Sequence, residues 1–255
     1  MSPLLFAIAI EPLAVFLRSN QEITGVFRSG IEHKVSLYAD DLLLYVSNLS
    51  TSIPAALKSL ATFGSISGYK LNLSKSELFP LNAAARAYTT HSFPFKIANH
   101  RFTYLGVQIT EKFHDLYKFN FATLLSRVQK DFERWSLLPL SLPTRINSVK
   151  MNTLPKFSYL FQSIPIFLPQ TFFRKIESLV TEFIWNRKPP RIRKSFLQRP
   201  KKLGGMALPN FQYYYWAANI RALHYWLHSD ILSPPPPLGC RWNLCWVSGQ
   251  LMTCI

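Results

Sequence analysis

Two adjacent aspartates, Asp40 and Asp41, interrupt the otherwise largely apolar stretch HKVSLYADDLLLYVS. The flanking segments Val35–Tyr38 and Leu42–Val46 are rich in β-branched, aromatic and long apolar side chains, which is typical of buried strands. The short connection between them predicts a tight turn, and therefore a β-hairpin with both carboxylates at its tip. Two like charges side by side repel each other, and removing them from water is costly unless a cation offsets them.

Two interpretations of this acidic tip follow from its residues. In the first, the tip faces water and the aspartates only serve the turn, which is their commonest role. In the second, the carboxylate oxygens bind hard divalent cations, as they do in sites of phosphoryl transfer. The neighbouring segments favour the second interpretation.

Several segments, taken in order, resemble the motifs of one enzyme family. YADD between apolar strands resembles the signature of reverse transcriptases. The accompanying segments are SPLLFAIAIEPLA (residues 2–14), SGYKLNLSKSELF (67–79), FTYLGVQI (102–109), LSLPTRINSVKMNTLPKFSYLFQSIPI (140–166) and KKLGGMALPNFQYYYWAANI (201–220). They are similar to the palm, the primer grip, and the thumb and post-thumb segments of LINE-type, non-LTR retrotransposon polymerases. The resemblance spans nearly the whole chain.

This resemblance implies RNA-directed DNA polymerase activity, with Mg²⁺, or alternatively Mn²⁺, as the cofactor. It implies an RNA template, a DNA primer and deoxynucleotides as partners. Asp40 corresponds to a direct metal ligand, and Asp41 to a second ligand or a supporting charge. Tyr38 and Ala39 correspond to residues that set the hairpin tip against the primer end.

The resemblance also assigns roles outside the hairpin. Lys75 matches a basic residue that neutralises or protonates the departing pyrophosphate, although an ordinary surface lysine is an equally good interpretation. Tyr104, Leu105 and Gly106 match the primer grip, where glycine permits close backbone approach.

The segment SPLLFAIAIEPLA, at residues 2–14, corresponds to a motif in the middle of the family's order of motifs. The family's third aspartate and its fingers would therefore lie upstream of Met1. We expect the 255 residues to be the C-terminal part of a palm with its thumb and a basic extension, from a truncated element, and to be inactive or nearly so on their own.

Positive charge is concentrated in the second part of the chain. The formal net charge is +16; residues 1–110 hold nine Lys and Arg against six Asp and Glu, whereas residues 111–255 hold twenty against seven. A polyanionic partner such as nucleic acid accounts for this imbalance, and solubility is the simpler alternative.

One stretch, residues 187–202, contains eight basic residues and no acid. Prolines interrupt this stretch, which therefore predicts an extended arm that follows a phosphate backbone. Trp185 and Phe196 are available for stacking on bases. A solvated linker is the alternative. The candidate nucleic-acid-binding residues are Arg187, Lys188, Arg191, Arg193, Lys194, Arg199, Lys201 and Lys202.

The order of elements predicts an α+β fold: a partial polymerase palm, with helices on one face of an antiparallel sheet, followed by a mostly helical thumb and a basic extension. We expect the palm at residues 1–110, the thumb at 111–168, the extension at 169–233, and a Pro-rich spacer and tail at 234–255. Helical periodicity is clearest at residues 121–135, 144–154, 170–185 and 213–227.

Cysteine content and hydropathy exclude other classes of protein. Cys240, Cys245 and Cys254 are odd in number and lack zinc-site spacing, which argues against a disulfide framework or a zinc site and favours a reducing compartment. The apolar run Pro3–Leu17 is too short to span a membrane and has no basic segment before it. We expect no membrane association and a nuclear or cytoplasmic location, and the sequence identifies no particular protein partner.

Three hypotheses remain from the sequence. The chain descends from a magnesium-dependent reverse transcriptase, or it is a non-catalytic nucleic-acid-binding remnant that uses the basic thumb and arm. The third possibility is an inactive, poorly stable product, since a palm divided through its sheet exposes apolar strand edges.

Overall fold

The computed structural model describes residues 3–28, 30–88, 93–228 and 253–254. The chain divides into two compact units: Met1–Glu111 with Cys245–Ile255, and Lys112–Leu244. The predicted Pro-rich spacer and tail at 234–255 lies outside the described residues, apart from Thr253 and Cys254. Helices and small, mainly antiparallel sheets make up the fold, which confirms the predicted α+β class.

The first unit begins with two helices and four short strands. In chain order these are α1 (Pro3–Ser19), β1 (Val26–Arg28), β2 (Ile31–His33), β3 (Val35–Tyr38), β4 (Asp41–Leu44) and α2 (Leu49–Ser67). β1 pairs antiparallel with β2, and β3 pairs antiparallel with β4. The predicted acidic hairpin is therefore present.

The rest of the first unit is extended or irregular, with one short helix. It comprises β5 (Glu77–Leu78), α3 (Ala83–Tyr88), β6 (Lys96–Ile97), β7 (Arg101–Tyr104) and β8 (Val107–Thr110). β5 pairs in parallel with β6, and β7 pairs antiparallel with β8. Residues 70–79 are mostly irregular and form a strand only at β5.

One apolar core stabilises this unit. Helices α1 and α2 pack together, and their buried side chains meet those of the acidic hairpin. The core includes Leu13, Leu17, Leu42, Leu44 and Ile53. Burial of a leucine or isoleucine side chain contributes about 1.5–3 kcal/mol, so the hairpin is held mainly by its apolar strand residues.

Helix α1 continues through Pro12 without ending there. Proline removes one backbone donor and disfavours a helix interior. Nevertheless Leu13, Ala14 and Leu17, which follow Pro12, are fully buried. Burial of this face keeps the last two turns helical.

The second unit is helical. It comprises α4 (Thr123–Ser136), α5 (Leu142–Ser148), α6 (Leu154–Ser163), α7 (Gln170–Ile184), α8 (Lys194–Gln198) and α9 (Phe211–His228). Wider π-helical turns at Tyr117–Ala122 and Val149–Thr153 lead into α4 and α6, and a 3-10 turn follows α8 at Lys201–Leu203. The turn at Val149–Thr153 ends two residues before Pro155, whose ring clashes with the carbonyl four residues earlier in a regular helix.

Phenylalanine rings form the core of the second unit. Phe132 of α4 stacks on Phe183 of α7, with ring centroids 4.5 Å apart and planes within 3° of parallel. On another side, Phe157 of α6 meets Phe211 of α9 edge to face at 5.5 Å. The periodic apolar positions predicted from the sequence are therefore core positions.

The last strand, β9 (Thr253–Cys254), pairs antiparallel with β4 in the first unit. Among the described helices, none is both long enough and apolar enough to cross a membrane.

Candidate active site in the first unit

The acidic hairpin presents its carboxylates from a two-residue turn. Tyr38 pairs with Asp41 in the register, so only Ala39 and Asp40 form the turn, and Asp41 is the first residue of β4. Both aspartates are exposed, whereas Leu42 is buried. The strand residues thus anchor a hairpin whose two charged side chains stay in solvent.

Ala39 has a backbone φ of +52°, in the left-handed region. Side chains with a Cβ disfavour this region by about 1–2 kcal/mol. The turn geometry is maintained because the paired strands on both sides fix the positions of its ends.

Lys75 lies on a loop that is organised by one asparagine. The side-chain oxygen of Asn72 accepts hydrogen bonds from the Ser74 hydroxyl at 2.7 Å and from the Lys75 backbone N–H at 3.2 Å. Its backbone carbonyl accepts from the Ser76 N–H at 3.0 Å and from the Ser76 hydroxyl at 2.9 Å. These bonds close the loop and leave the Lys75 side chain exposed.

A second hairpin, β7–β8, carries the segment that resembles the primer grip. Tyr104 pairs with Val107, so Leu105 and Gly106 form its two-residue turn. Both have positive φ, +48° and +76°, as a type I′ turn requires. Tyr104 is 5% exposed, and its burial anchors the hairpin.

The two hairpin tips and the Asn72 loop line one cleft of about 310 Å³. The cleft brings together five of the predicted site residues: Asp40, Asp41, Lys75, Tyr104 and Leu105. The other three of the first unit, Tyr38, Ala39 and Gly106, belong to the same two hairpins but do not line it. Residues distant in the sequence thus form one surface that carries both acidic and basic groups.

Two further residues of the cleft, Tyr69 and Lys70, were not assigned roles from the sequence. Burial of the ring raises the pKa of the Tyr69 hydroxyl above its ordinary value of 10.0, and the negative charges of Asp40 and Asp41 raise it further. The hydroxyl therefore lies within the electrostatic field of both carboxylates. The only sequence signal was its position inside the SGYKLN segment.

The carboxylates of Asp40 and Asp41 are suitable ligands for a hard cation. Mg²⁺ commonly binds through one or two carboxylates, with water and substrate phosphates completing its shell. Among the described residues, no group of three His, Cys, Asp or Glu side chains is placed to hold a metal. The donor set fits a magnesium ion that takes most of its ligands from solvent and substrate.

The acidic hairpin, the Asn72 loop and the β7–β8 tip all lie within the first 109 residues of the chain. Residues 1–109 match the family model of reverse transcriptase (RNA-dependent DNA polymerase). The match confirms the resemblance for this reverse transcriptase segment, which contains YADD and ends within β8. The acidic hairpin therefore lies within a reverse transcriptase domain.

Beyond the reverse transcriptase segment, the predicted basic arm is not extended. Residues 194–198 form helix α8, and the chain then folds back, since the Met206 and Leu208 N–H groups donate to the Leu197 carbonyl at 3.1 and 2.9 Å. Leu197 is buried beneath this turn. The prediction of an extended arm was wrong because a buried leucine and local hydrogen bonds compact the segment.

Three of the eight candidate cations in this segment already have partners. Arg187 pairs with Glu182 at 3.3 Å, and Lys194 pairs with Glu177 at 2.5 Å. The Arg199 guanidinium lies over the Phe196 ring at 4.2 Å and covers one face of this ring, which was proposed for base stacking. The remaining five candidates, all exposed, are Lys188, Arg191, Arg193, Lys201 and Lys202.

Proposed function

We propose that the first unit is part of the palm of a LINE-type, non-LTR retrotransposon reverse transcriptase, and that the second unit is its thumb and basic extension. The observation that supports this proposal best is the shared cleft, where Asp40 and Asp41 lie with Lys75 and the tip of β7–β8. The match of residues 1–109 to the reverse transcriptase family supports RNA-dependent DNA synthesis as the class of reaction. The LINE-type assignment depends on the resemblance of residues 140–166 and 201–220.

In this proposal the substrates are an RNA template, a DNA primer and deoxynucleotides. Asp40 would hold a divalent cation directly, and Asp41 would be a second ligand or a supporting charge. A bound magnesium ion would supply charge stabilisation for the attacking and leaving oxygens. The exposed Lys75 ammonium, which lines the same cleft, would neutralise or protonate the leaving pyrophosphate.

The tip of β7–β8 would contact the primer. Tyr104 anchors the hairpin, and the type I′ turn of Leu105 and Gly106 presents backbone at the edge of the cleft. Tyr38 and Ala39 would position the acidic tip relative to the primer end. An intracellular location, in the nucleus or the cytoplasm, belongs to the same proposal.

Activity of these 255 residues assayed by themselves is proposed to be low. By the family resemblance, the polymerase uses a third aspartate and fingers that the quoted motifs do not include. Two carboxylates offset less of the charge of two divalent ions than three do, so precise metal placement is weaker.

The test is primer extension on an RNA template with Mg²⁺ and deoxynucleotides. We expect little or no extension by the 255-residue chain, and measurable extension when an upstream aspartate motif and fingers from a related element are fused to it. Asp40→Asn should then abolish the restored activity. Restored extension that is insensitive to Asp40→Asn would contradict the proposed role of the acidic pair.

A second candidate function is nucleic-acid binding without catalysis. Five exposed cations of residues 187–202 have no ion pair within the described part of the chain and can contact phosphates: Lys188, Arg191, Arg193, Lys201 and Lys202. This function predicts RNA or DNA binding that weakens steeply with salt and is unaffected by Asp40→Ala and Asp41→Ala.

A further inference from the structure

We propose that a groove along helix α7 binds the phosphodiester backbone of a single nucleic-acid strand, and that Glu177 and Glu182 limit its affinity by competing with phosphate for two of its cations. This inference depends on the second candidate function, nucleic-acid binding, and specifies the form of nucleic acid and the place where the strand lies. Arg174, which the basic segment 187–202 does not include, becomes a phosphate-binding residue.

One wall of the groove is the polar face of α7. Its members follow the three- and four-residue spacing of a single helix face: Arg174, Glu177, Ser178, Thr181 and Glu182. The opposite face of α7 is buried through Phe173, Ile176 and Val180. Because these buried side chains fix the rotation of the helix, the polar face stays at the surface of the second unit.

The segment after α7 forms the other wall, because it runs back along the helix. Lys194 pairs with Glu177 at 2.5 Å, although Glu177 lies in the middle of α7. The groove residues from this segment are Arg187, Lys188, Pro190 and Lys194. The two walls enclose a volume of about 490 Å³.

The turn between the two walls is fixed by backbone hydrogen bonds. Asn186 and Arg187 have φ values of +50° and +61°, in the left-handed region that side chains with a Cβ disfavour. The Arg187 N–H donates to the Glu182 carbonyl at 2.9 Å, and the Lys188 N–H donates to the Trp185 carbonyl at 3.0 Å. These bonds hold the first two cations of the segment beside the end of α7.

The groove has an excess of positive charge that is partly neutralised within it. Four cations and two acids line it, so its formal net charge is +2. Each of the two acids holds one cation, Arg187 or Lys194. The other two cations, Arg174 and Lys188, are exposed and have no ion pair among the described residues. They are therefore available to a ligand without any exchange of partners.

A chain of phosphates suits these donors. Arginine binds phosphate through two parallel N–H bonds, and lysine binds it as a point charge. The hydroxyls of Ser178 and Thr181 are further donors to phosphate oxygens. A positively charged groove that follows the backbone is a common site for single strands. The reverse transcriptase match of residues 1–109 favours nucleic acid over an acidic peptide as the polyanion.

The ion pair between Arg187 and Glu182 is suited to exchange. Its two side chains are 71% and 54% exposed, and exposed pairs of this kind contribute little to stability. A phosphate that enters the groove competes with the Glu182 carboxylate for the Arg187 guanidinium. Loss of this carboxylate should therefore strengthen binding of the strand and leave the fold intact.

The first experiment measures binding of a fluorescein-labelled oligothymidylate to the full 255-residue chain by fluorescence anisotropy, over a range of KCl concentrations. Arg174→Gln should weaken binding about fivefold to tenfold at low salt and reduce the slope of log affinity against log salt by about 0.7. Lys175→Gln is the matched control, because it removes the same charge from the next position of α7, which does not line the groove. We expect it to change the affinity by less than about twofold, since salt screens a charge without direct contact.

The second experiment tests the competition by the acids. Glu182→Gln should strengthen binding about twofold to fivefold and steepen the salt dependence, because Arg187 gains a phosphate contact. Glu11→Gln changes the net charge equally and breaks an exposed pair with Arg18, at 3.2 Å, in the first unit, and it should leave the affinity unchanged. The substituted side chains in both experiments are exposed, so all four variants should fold.

The outcomes distinguish this groove from nucleic-acid binding in general. If the unmodified chain binds the strand in a salt-dependent way but Arg174→Gln and Lys175→Gln weaken binding equally, the groove is refuted and nucleic-acid binding stands. Weaker binding by Glu182→Gln would overturn the competition. Equal affinity for a duplex, or displacement of the strand by polyglutamate at equal charge, would overturn the single-strand assignment. If the unmodified chain binds no oligonucleotide, both this proposal and the second candidate function fail.

Discussion

Tyr38 lies directly opposite Asp41 in the register of β3 and β4, which leaves Ala39 and Asp40 as the whole turn. The close pairing forces Ala39 to a φ of +52°. The position of the acidic tip therefore depends on a turn residue in a backbone conformation that alanine adopts at a cost.

Ala39→Gly should stabilise the first unit by about 1 kcal/mol. Glycine adopts the left-handed backbone conformation without the steric cost that alanine has, and the greater entropy of the unfolded chain offsets part of this gain. Urea denaturation measures the change. The same substitution at Ala61, in the interior of helix α2 and exposed, is the matched control and should destabilise by about 0.5–1 kcal/mol. A loss of stability in Ala39→Gly would contradict the strain at the turn.

Gly64→Ala should destabilise the first unit by about 1–3 kcal/mol, because the new methyl group overlaps the Tyr69 carbonyl and the loop must move. Ser65→Ala, on the exposed side of the same helix, should change the free energy of unfolding by less than about 0.5 kcal/mol. Equal stability of the two variants would show that the close approach of Tyr69 is not required.

Arg145 holds three backbone carbonyls in the second unit, and its loss should destabilise that unit strongly. Its guanidinium, 4% exposed, donates to the carbonyls of Leu138, Leu140 and Phe183 at 3.4, 3.1 and 3.0 Å. Arg145→Met removes all three of these hydrogen bonds from a buried site, and we expect a loss of about 2–4 kcal/mol in thermal or urea unfolding.

Two comparisons sharpen this test. Arg145→Lys keeps the charge but lacks the planar fork of donors, so it should restore only part of the lost stability. Arg127→Met removes an exposed arginine of α4 and should have little effect. Full recovery in Arg145→Lys would show that charge alone matters at this position.

Alkaline titration should report the acidic pair through Tyr69. Because the pKa of Tyr69 is raised in the folded state, its contribution to stability is fully present below the unfolded pKa of about 10 and is lost as pH rises through the folded pKa. Asp40→Asn/Asp41→Asn should lower the folded pKa of Tyr69, since two of the three causes of the shift disappear.

The measurement is tyrosinate absorbance, taken as the difference between each chain and its Tyr69→Phe variant. Glu133→Gln, which removes an exposed acid in the second unit, should not move the Tyr69 titration. An unchanged titration in the double aspartate variant would place the Tyr69 hydroxyl outside the field of the carboxylates.

Nucleic-acid binding should depend on the exposed cations of the second unit. We expect Lys201→Ala/Lys202→Ala to weaken RNA binding and to reduce the slope of log affinity against log salt by about 1–2 units, because each lost phosphate contact lowers counterion release. Filter binding over a range of KCl concentrations measures the slope. Lys58→Ala, on α2 of the first unit, is the control for charge at an exposed site, and an identical slope in the two variants would contradict the assignment.

Local sequence determined much of this protein. The strand-type residues on both sides of Asp40 and Asp41 were sufficient to predict the acidic hairpin, and apolar positions at helical spacing predicted α7 and α9 almost to their ends. These features depend on neighbours within a few residues, where side-chain type and periodicity carry the information. The order of motifs also predicted the reverse transcriptase match.

Only the tertiary structure decided which distant residues meet. The shared cleft needs Asp40, Lys75 and Leu105 to converge from three separate loops, and the approach of Tyr69 depends on the absence of a side chain at Gly64. The continuation of α1 through Pro12 and the compact fold around Leu197 likewise result from burial against other elements. Packing energies come from contacts across the chain, and local patterns do not encode those contacts.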